Sequence, residues 1–201
     1  MTSTRAIFFD LDGTLLELRH EYQNIIAETF NAIEGEVQDN WITQYNEEFF
    51  KLFKTCEPDP AKQAFASIEP CSEPESLAEE LRKRETASCR PQNGVHDDLE
   101  RLTENYALGV LTNGFPEWQR GKLRKYNLDQ YFDTIVTSYE AGAHKPDEAP
   151  YRIAEKRLPA ETYAMIGDSD ADILGAKNAG WTAYRHSGSG FSEIPAELDW
   201  G

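Results

Sequence analysis

The chain has 201 residues, 39% of them hydrophobic and 11% aromatic, which is enough for a folded core and fits one domain with a modest insertion. Its 36 acidic residues against 20 basic ones give a formal charge of −16, a surface that repels phosphate backbones and anionic headgroups and argues against nucleic-acid or membrane binding. Three cysteines, Cys56, Cys71 and Cys89, are too few for a disulfide framework and lack zinc-ligand spacing, so they read as thiols in a reducing compartment.

Arg5 to Phe9 (RAIFF) is a short apolar run stopped by Asp10, the pattern of a buried strand. It is too short for a signal h-region, and no apolar run approaches the ~18 residues of a membrane span. The expected location is therefore the cytoplasm. Beyond Gly13-Thr14 the period changes. Glu21 to Ile33 and Asp39 to Phe53 carry apolar residues at helical spacing, with Asp39 as a candidate N-cap. Ala61 to Ile68 and Glu75 to Thr86 read as two more helices. The aromatics Trp41, Tyr45, Phe49 and Phe53 read as core packing.

From residue 95 on, helices and strands alternate. The helices fall at 95–105, 115–126, 149–158 and 171–179, and the strands at 106–111, 134–137, 162–166 and 181–184. Such alternation predicts a parallel, Rossmann-like α/β sheet with helices on both faces. The tail from His186 on, rich in Ser and Gly and then acidic, reads as loose. The expected organisation is an α/β core, residues 1–15 and 91–201, interrupted by a helical domain, residues 16–90.

Ligands of open parallel sheets sit beyond the carboxyl ends of the strands, so the strand exits carry the functional argument. The first exit is Asp10-Leu11-Asp12-Gly13-Thr14, two carboxylates that repel unless a cation or proton compensates. The second, Leu111-Thr112-Asn113-Gly114, offers a hydroxyl, an amide and backbone N–H groups at a helix start. The third region holds Lys145-Pro146, and the fourth is Gly167-Asp168-Ser169-Asp170-Ala171-Asp172. Carboxylates alone would gather a hard cation such as Mg²⁺. Lys, Thr and a helix N-terminus would gather a phosphate. Both at one sheet edge describe metal-assisted phosphoryl transfer, with a carboxylate as a possible nucleophile.

Taken together, FFDLDGTL (8–15), VLTNG (110–114), KP (145–146) and IGDSDADILGAKNAG (166–180) resemble the four motifs of haloacid dehalogenase-superfamily hydrolases, in the family's order and spacing. The subfamily resembled has a helical cap inserted after the first strand. The resemblance implies that Asp10 is the nucleophile, and that Asp12 protonates the leaving alcohol and later activates water. It implies that Thr112 and the Asn113 backbone bind phosphoryl oxygens and that Lys145 neutralises the transferring group. Mg²⁺ would be held by Asp10, the Asp12 carbonyl and Asp168, with Asp172 supporting the metal shell and pairing with Lys145. Asp170 reads as a helix-start residue, and His20, His96, His144 and His186 as incidental.

Asp12 bears on the reaction. The resemblance implies that phosphatases and phosphomutases carry Asp at this position, because an oxygen leaving group needs a proton, whereas haloacid dehalogenases lack it. The stretch 111–123 (LTNGFPEWQRGKL) is similar to the branch of pyrimidine nucleotidases and N-acylneuraminate-9-phosphatases, which shows LTNG with a nearby Gln-Arg or Gln-x-x-Lys. The expectation is a Mg²⁺-dependent phosphatase of a small phosphate ester, a nucleotide or sugar phosphate, working as monomer or homodimer. A phosphomutase, a phosphonatase using Lys51, Lys54 or Lys62, and a non-catalytic scaffold are the alternatives. The excess acid has two readings: adaptation to concentrated salt, or a Glu-rich mesophilic surface.

Overall fold

The RAIFF run forms the middle strand of a five-stranded sheet in the computed structural model, which describes residues 4–69, 71–188, 190–191, 193–198 and 200. In chain order the elements begin with β1 (Arg5–Phe9) and β2 (Leu16–Leu18). Four helices follow: α1 (Tyr22–Ile33), α2 (Asp39–Lys54), α3 (Pro60–Ala66) and α4 (Pro74–Ser88). Then come β3 (Cys89–Pro91), α5 (Val95–Thr103), β4 (Ala107–Thr112), α6 (Pro116–Lys125), a 3-10 turn at Asp129–Tyr131 and β5 (Thr134–Thr137). The chain closes with α7 (Ser138–Ala141), α8 (Glu148–Arg157), β6 (Thr162–Gly167), α9 (Asp170–Ala179), β7 (Thr182–Arg185) and α10 (Ile194–Glu197).

The large sheet runs β5-β4-β1-β6-β7 and all its pairings are parallel. Phe9 lies level with Val110 on one side and Ile166 on the other. Strand alternation sends successive side chains to opposite faces. One face, with Ala6, Phe8, Leu111, Val136 and Met165, packs against Tyr151 and Ala154 of α8 and Ala176 and Ala179 of α9. The other carries Ile7, Phe9, Val110 and Ile166, all fully buried. The result is an α/β fold with a parallel sheet, the expected class.

By chain contacts the protein forms two units, residues 1–17 with 90–201, and residues 18–89. The second holds the four helices α1 to α4. Its centre holds Phe30, Trp41, Tyr45 and Phe65, with Tyr45 and Phe65 rings 4.4 Å apart, so the helical spacing of these aromatics reflects core packing. Phe53 is half-buried, stacked on Phe49 at 5.5 Å.

Three local expectations need correction. Asp39 is the first helical residue of α2 and Gln38 occupies the cap, without a side-chain bond. Residues 16–90, expected as a helical domain, begin and end in the short strands β2 and β3, which pair with each other and carry too few residues for a period to show. The tail is packed: Phe191 is fully buried, with its ring 5.4 Å from Phe9 and 4.6 Å from His186. Its N–H donates to the buried Asp98 carboxylate at 2.8 Å, and Ile194 and Leu198 are also buried. Ser189, Ser192, Asp199 and Gly201 of this tail lie outside the described residues. Among the described residues, no helix is long and apolar enough to cross a membrane.

Candidate active site

Because β1 lies between β4 and β6, Asp10 leaves the sheet flanked by Thr112 and Asp168. The order also reverses here, with later strands added first on one side of β1 and then on the other, which is where open α/β sheets bind ligands. Lys145 reaches this edge from the loop between α7 and α8. Its ammonium donates to Asp10 Oδ1 at 2.7 Å, Asp172 Oδ1 at 2.6 Å and the Leu111 carbonyl at 2.7 Å. The Asn113 side chain fastens that loop: its amide donates to the Lys145 carbonyl at 3.3 Å, and its oxygen accepts from the Lys145 N–H at 2.9 Å.

Asp172 is fully buried on the first turn of α9. Its second oxygen accepts from Ser169 N–H at 3.0 Å and Ser169 Oγ at 2.6 Å, and Ser169 in turn caps the helix. That capping box satisfies helix-start donors and fixes Asp172 toward Lys145. Thr14 Oγ1 donates to Asp168 Oδ1 at 3.1 Å. Gly13 has φ +92°, and a Cβ there would lie 2.5 Å from the Asp168 carboxylate. Glycine at 13 thus permits both the turn and the approach of Asp168. Asp170 is exposed and paired with Arg185, as a helix-start residue would be. His20 is exposed.

Burial pushes the Asp10 carboxyl up to about 6; the charges of Asp172 and Asp12 add to the rise, and Lys145 opposes it. Burial alone would lower the Lys145 pKa, but Asp10 and Asp172 outweigh it and hold it above the usual range. Oxygens of Asp10, Asp168 and Asp172 come within 4.8 Å of one another. Four carboxylates, counting Asp12, face two ammonium groups, those of Lys145 and Lys122. The surplus equals the charge of one divalent cation, and an all-oxygen donor set suits a hard one. The residues therefore fit Mg²⁺. Asp172 already has Lys145 on one oxygen and Ser169 on the other, which suits a supporting place better than a direct one.

Asp12 sits differently. Its side chain is 45% exposed, yet it is gripped from beneath by Lys122, whose side chain is 3% exposed. Lys122 Nζ donates to Asp12 Oδ1 at 2.8 Å and Oδ2 at 2.9 Å. Gln119 Nε2 donates to Asp12 Oδ2 at 2.8 Å and to Thr112 Oγ1 at 2.7 Å. Neither residue was among those singled out from the strand exits, nor was Thr14 or Ser169. The available signal was the Gln-x-x-Lys spacing behind LTNG, which puts both side chains on one face of α6.

Residues 7–185 match the family model for haloacid dehalogenase-like hydrolases, and the chain belongs to that family. Pyrophosphatase PpaX of Bacillus velezensis is 30% identical over 189 residues, covering 90% of this chain and 82% of the relative. Pyrimidine 5'-nucleotidase YjjG of Escherichia coli is 34% identical over 112 residues, 54% of this chain and 50% of the relative. The HAD-hydrolase YfnB of Bacillus subtilis, solved bound to magnesium, shares the fold with a TM-score of 0.67 at 22% identity, covering 90% of this chain and 88% of that one. Membership with such relatives makes the chain an enzyme, a phosphatase of this family.

Proposed function

We propose that this phosphatase hydrolyses the phosphate ester of a small metabolite, a nucleotide or sugar phosphate, through a phosphorylated Asp10. The carrying observation is the Lys145 ammonium, which holds Asp10 and Asp172 within 2.7 Å while Asp12 stands two residues on. In this reading an Asp10 oxygen attacks phosphorus, the P–O bond to the alcohol breaks, and Asp12 gives the departing oxygen its proton. Asp12 then takes a proton from water, water oxygen attacks phosphorus, and phosphate leaves with Asp10 restored. Lys145, the Thr112 hydroxyl and backbone N–H groups at Asn113 stabilise charge on the equatorial oxygens. Asp10, Asp168 and the Asp12 carbonyl would hold Mg²⁺, which supplies charge neutralisation for phosphoryl transfer. The donor set and the magnesium-bound fold neighbour support that choice.

The helical unit is read as the cap that selects the ester, and the protein as a cytoplasmic monomer or homodimer. Phosphate release from p-nitrophenyl phosphate, nucleoside monophosphates, sugar phosphates and pyrophosphate, with and without Mg²⁺, tests the proposal. Magnesium-dependent release from at least one organic monoester is expected. Silence across the panel from a folded protein would contradict it.

A further inference from the structure

We propose that Gln119 and Lys122, one turn apart on α6, are positioning residues that aim the Asp12 carboxylate for proton transfer. The proposal rests on the reading of Asp12 as acid and base. A carboxylate at a solvent-facing strand exit rotates freely unless both oxygens are held. Here Lys122 reaches both, and Gln119 adds a second donor to Oδ2. Lysine is rarely this buried, because desolvating an ammonium is costly without a matched partner, and Asp12 is such a partner for Lys122. The two lysines of the site thus divide its carboxylates, Lys145 serving Asp10 and Asp172, and Lys122 serving Asp12.

Gln119 does a second thing. A carboxylate oxygen only accepts, so the Gln119 atom facing Asp12 is the amide nitrogen. Its two hydrogens are then directed at Asp12 and at Thr112 Oγ1. Thr112 therefore accepts from Gln119 and keeps its own proton to donate to a phosphoryl oxygen. Gly114, at φ +153°, leaves room for this, since a Cβ there would stand 3.0 Å from the Gln119 side chain. One glutamine thus couples the proton-transfer carboxylate to the phosphate-binding hydroxyl.

The two residues predict different kinetic signatures. Lys122→Met should lower kcat/KM, which reports the phosphorylation half-reaction and not the shared hydrolysis of the aspartyl phosphate, about tenfold or more on an alkyl phosphate, which needs its leaving oxygen protonated, and less on p-nitrophenyl phosphate. Competitive inhibition by inorganic phosphate should stay within about twofold, because Lys122 faces Asp12 and not the ester. Gln119→Met should lower kcat/KM, more on the alkyl ester than on p-nitrophenyl phosphate, and also weaken phosphate inhibition through Thr112. Lys122→Arg, which keeps charge and donors, should restore part of the alkyl-phosphate rate. In an Asp12→Asn background Lys122→Met should cost nothing further, since it acts through Asp12. Equal losses of kcat/KM on both esters from Lys122→Met, or a full additional loss in that background, would overturn the proposal. Asp12→Asn that loses alkyl-phosphate activity while Lys122→Met keeps it would overturn the positioning role alone. Asp12→Asn with wild-type activity on both esters would overturn the underlying reading, and the positioning role with it.

Discussion

Asp10 shows what the site demands of one residue. Its carboxyl is pushed up to about 6 by burial, against the pull of Lys145, so holding it ionised costs stability. The sign is that of a raised acid: the native state binds more protons than the unfolded chain between about pH 4 and 6, and stability falls as pH rises through that window. Asp10→Asn is expected to abolish phosphate release while leaving far-UV circular dichroism unchanged. In cation-free buffer at pH 8 its Tm should match or exceed that of the wild type, with the advantage shrinking as pH falls below 6. A variant that keeps turnover would remove Asp10 as nucleophile. Asp10, Asp12, Thr112 and Asp168 stood out in the sequence because each lies where an apolar run gives way to charge or a hydroxyl, whereas Lys145 and Asp172 took their expected roles from the motif resemblance. The sequence showed the Gln-x-x-Lys spacing of Gln119 and Lys122 but not their partner, because PEWQRGKLRK is mostly polar and a lysine in such a helix reads as solvated. Only the docking of α6 beside the Asp12 turn reveals that this lysine is buried.

Elements carry the site by fastening loops to one another. Glu140, on α7, is one such fastening. Its first oxygen accepts from Arg120 of α6 at 2.9 Å and Arg157 of α8 at 3.0 Å. The second accepts from Thr137 N–H at 3.0 Å and Thr137 Oγ1 at 3.1 Å, where β5 ends. Burial raises its pKa, but these bonds outweigh that and bring it down to about 2. A depressed acid stabilises above its unfolded pKa and loses that contribution as pH falls through the window from about 4.5 to 2. Glu140→Gln should lower urea stability at pH 7 by about 1–2 kcal/mol, reduced from a fully buried case by solvent screening. The gap between variant and wild type should narrow at pH 3, and an equal gap at both values would contradict the ionic account. The tail is the second fastening. Its Ser/Gly composition reads as loose, yet three apolar side chains spaced through it, at 191, 194 and 198, are buried. These three stand at helical spacing, but the glycines, serines and acids around them dominate the composition, so composition misleads there. Phe191→Ala should cost about 3–5 kcal/mol by chemical denaturation, where a loose tail would cost almost nothing.

At the scale of the molecule, the alternation of helices and strands after residue 95 specified a parallel sheet, because each helix between strands forces a crossover. The strand order and the centrality of β1 needed the structure, since local periodicity does not record which strand neighbours which. The charge of −16 is a property of the whole surface. Its carboxylates outnumber the cations available to pair with them, and repulsion among them is screened as the Debye length shrinks from about 10 Å at 0.1 M salt to about 3 Å at 1 M. Tm is therefore expected to rise with KCl across that range. A flat curve would count against salt adaptation and favour a Glu-rich surface that tolerates its own charge.

The most direct test of the central claim is to trap the enzyme during turnover. The Asp12→Asn variant, slowed in releasing phosphate, would be mixed with p-nitrophenyl phosphate and Mg²⁺, quenched in acid and mapped by peptide mass. The account predicts one phosphoryl group on the peptide containing Asp10. Nitrophenol release without label on that peptide, or label on another residue, would contradict it.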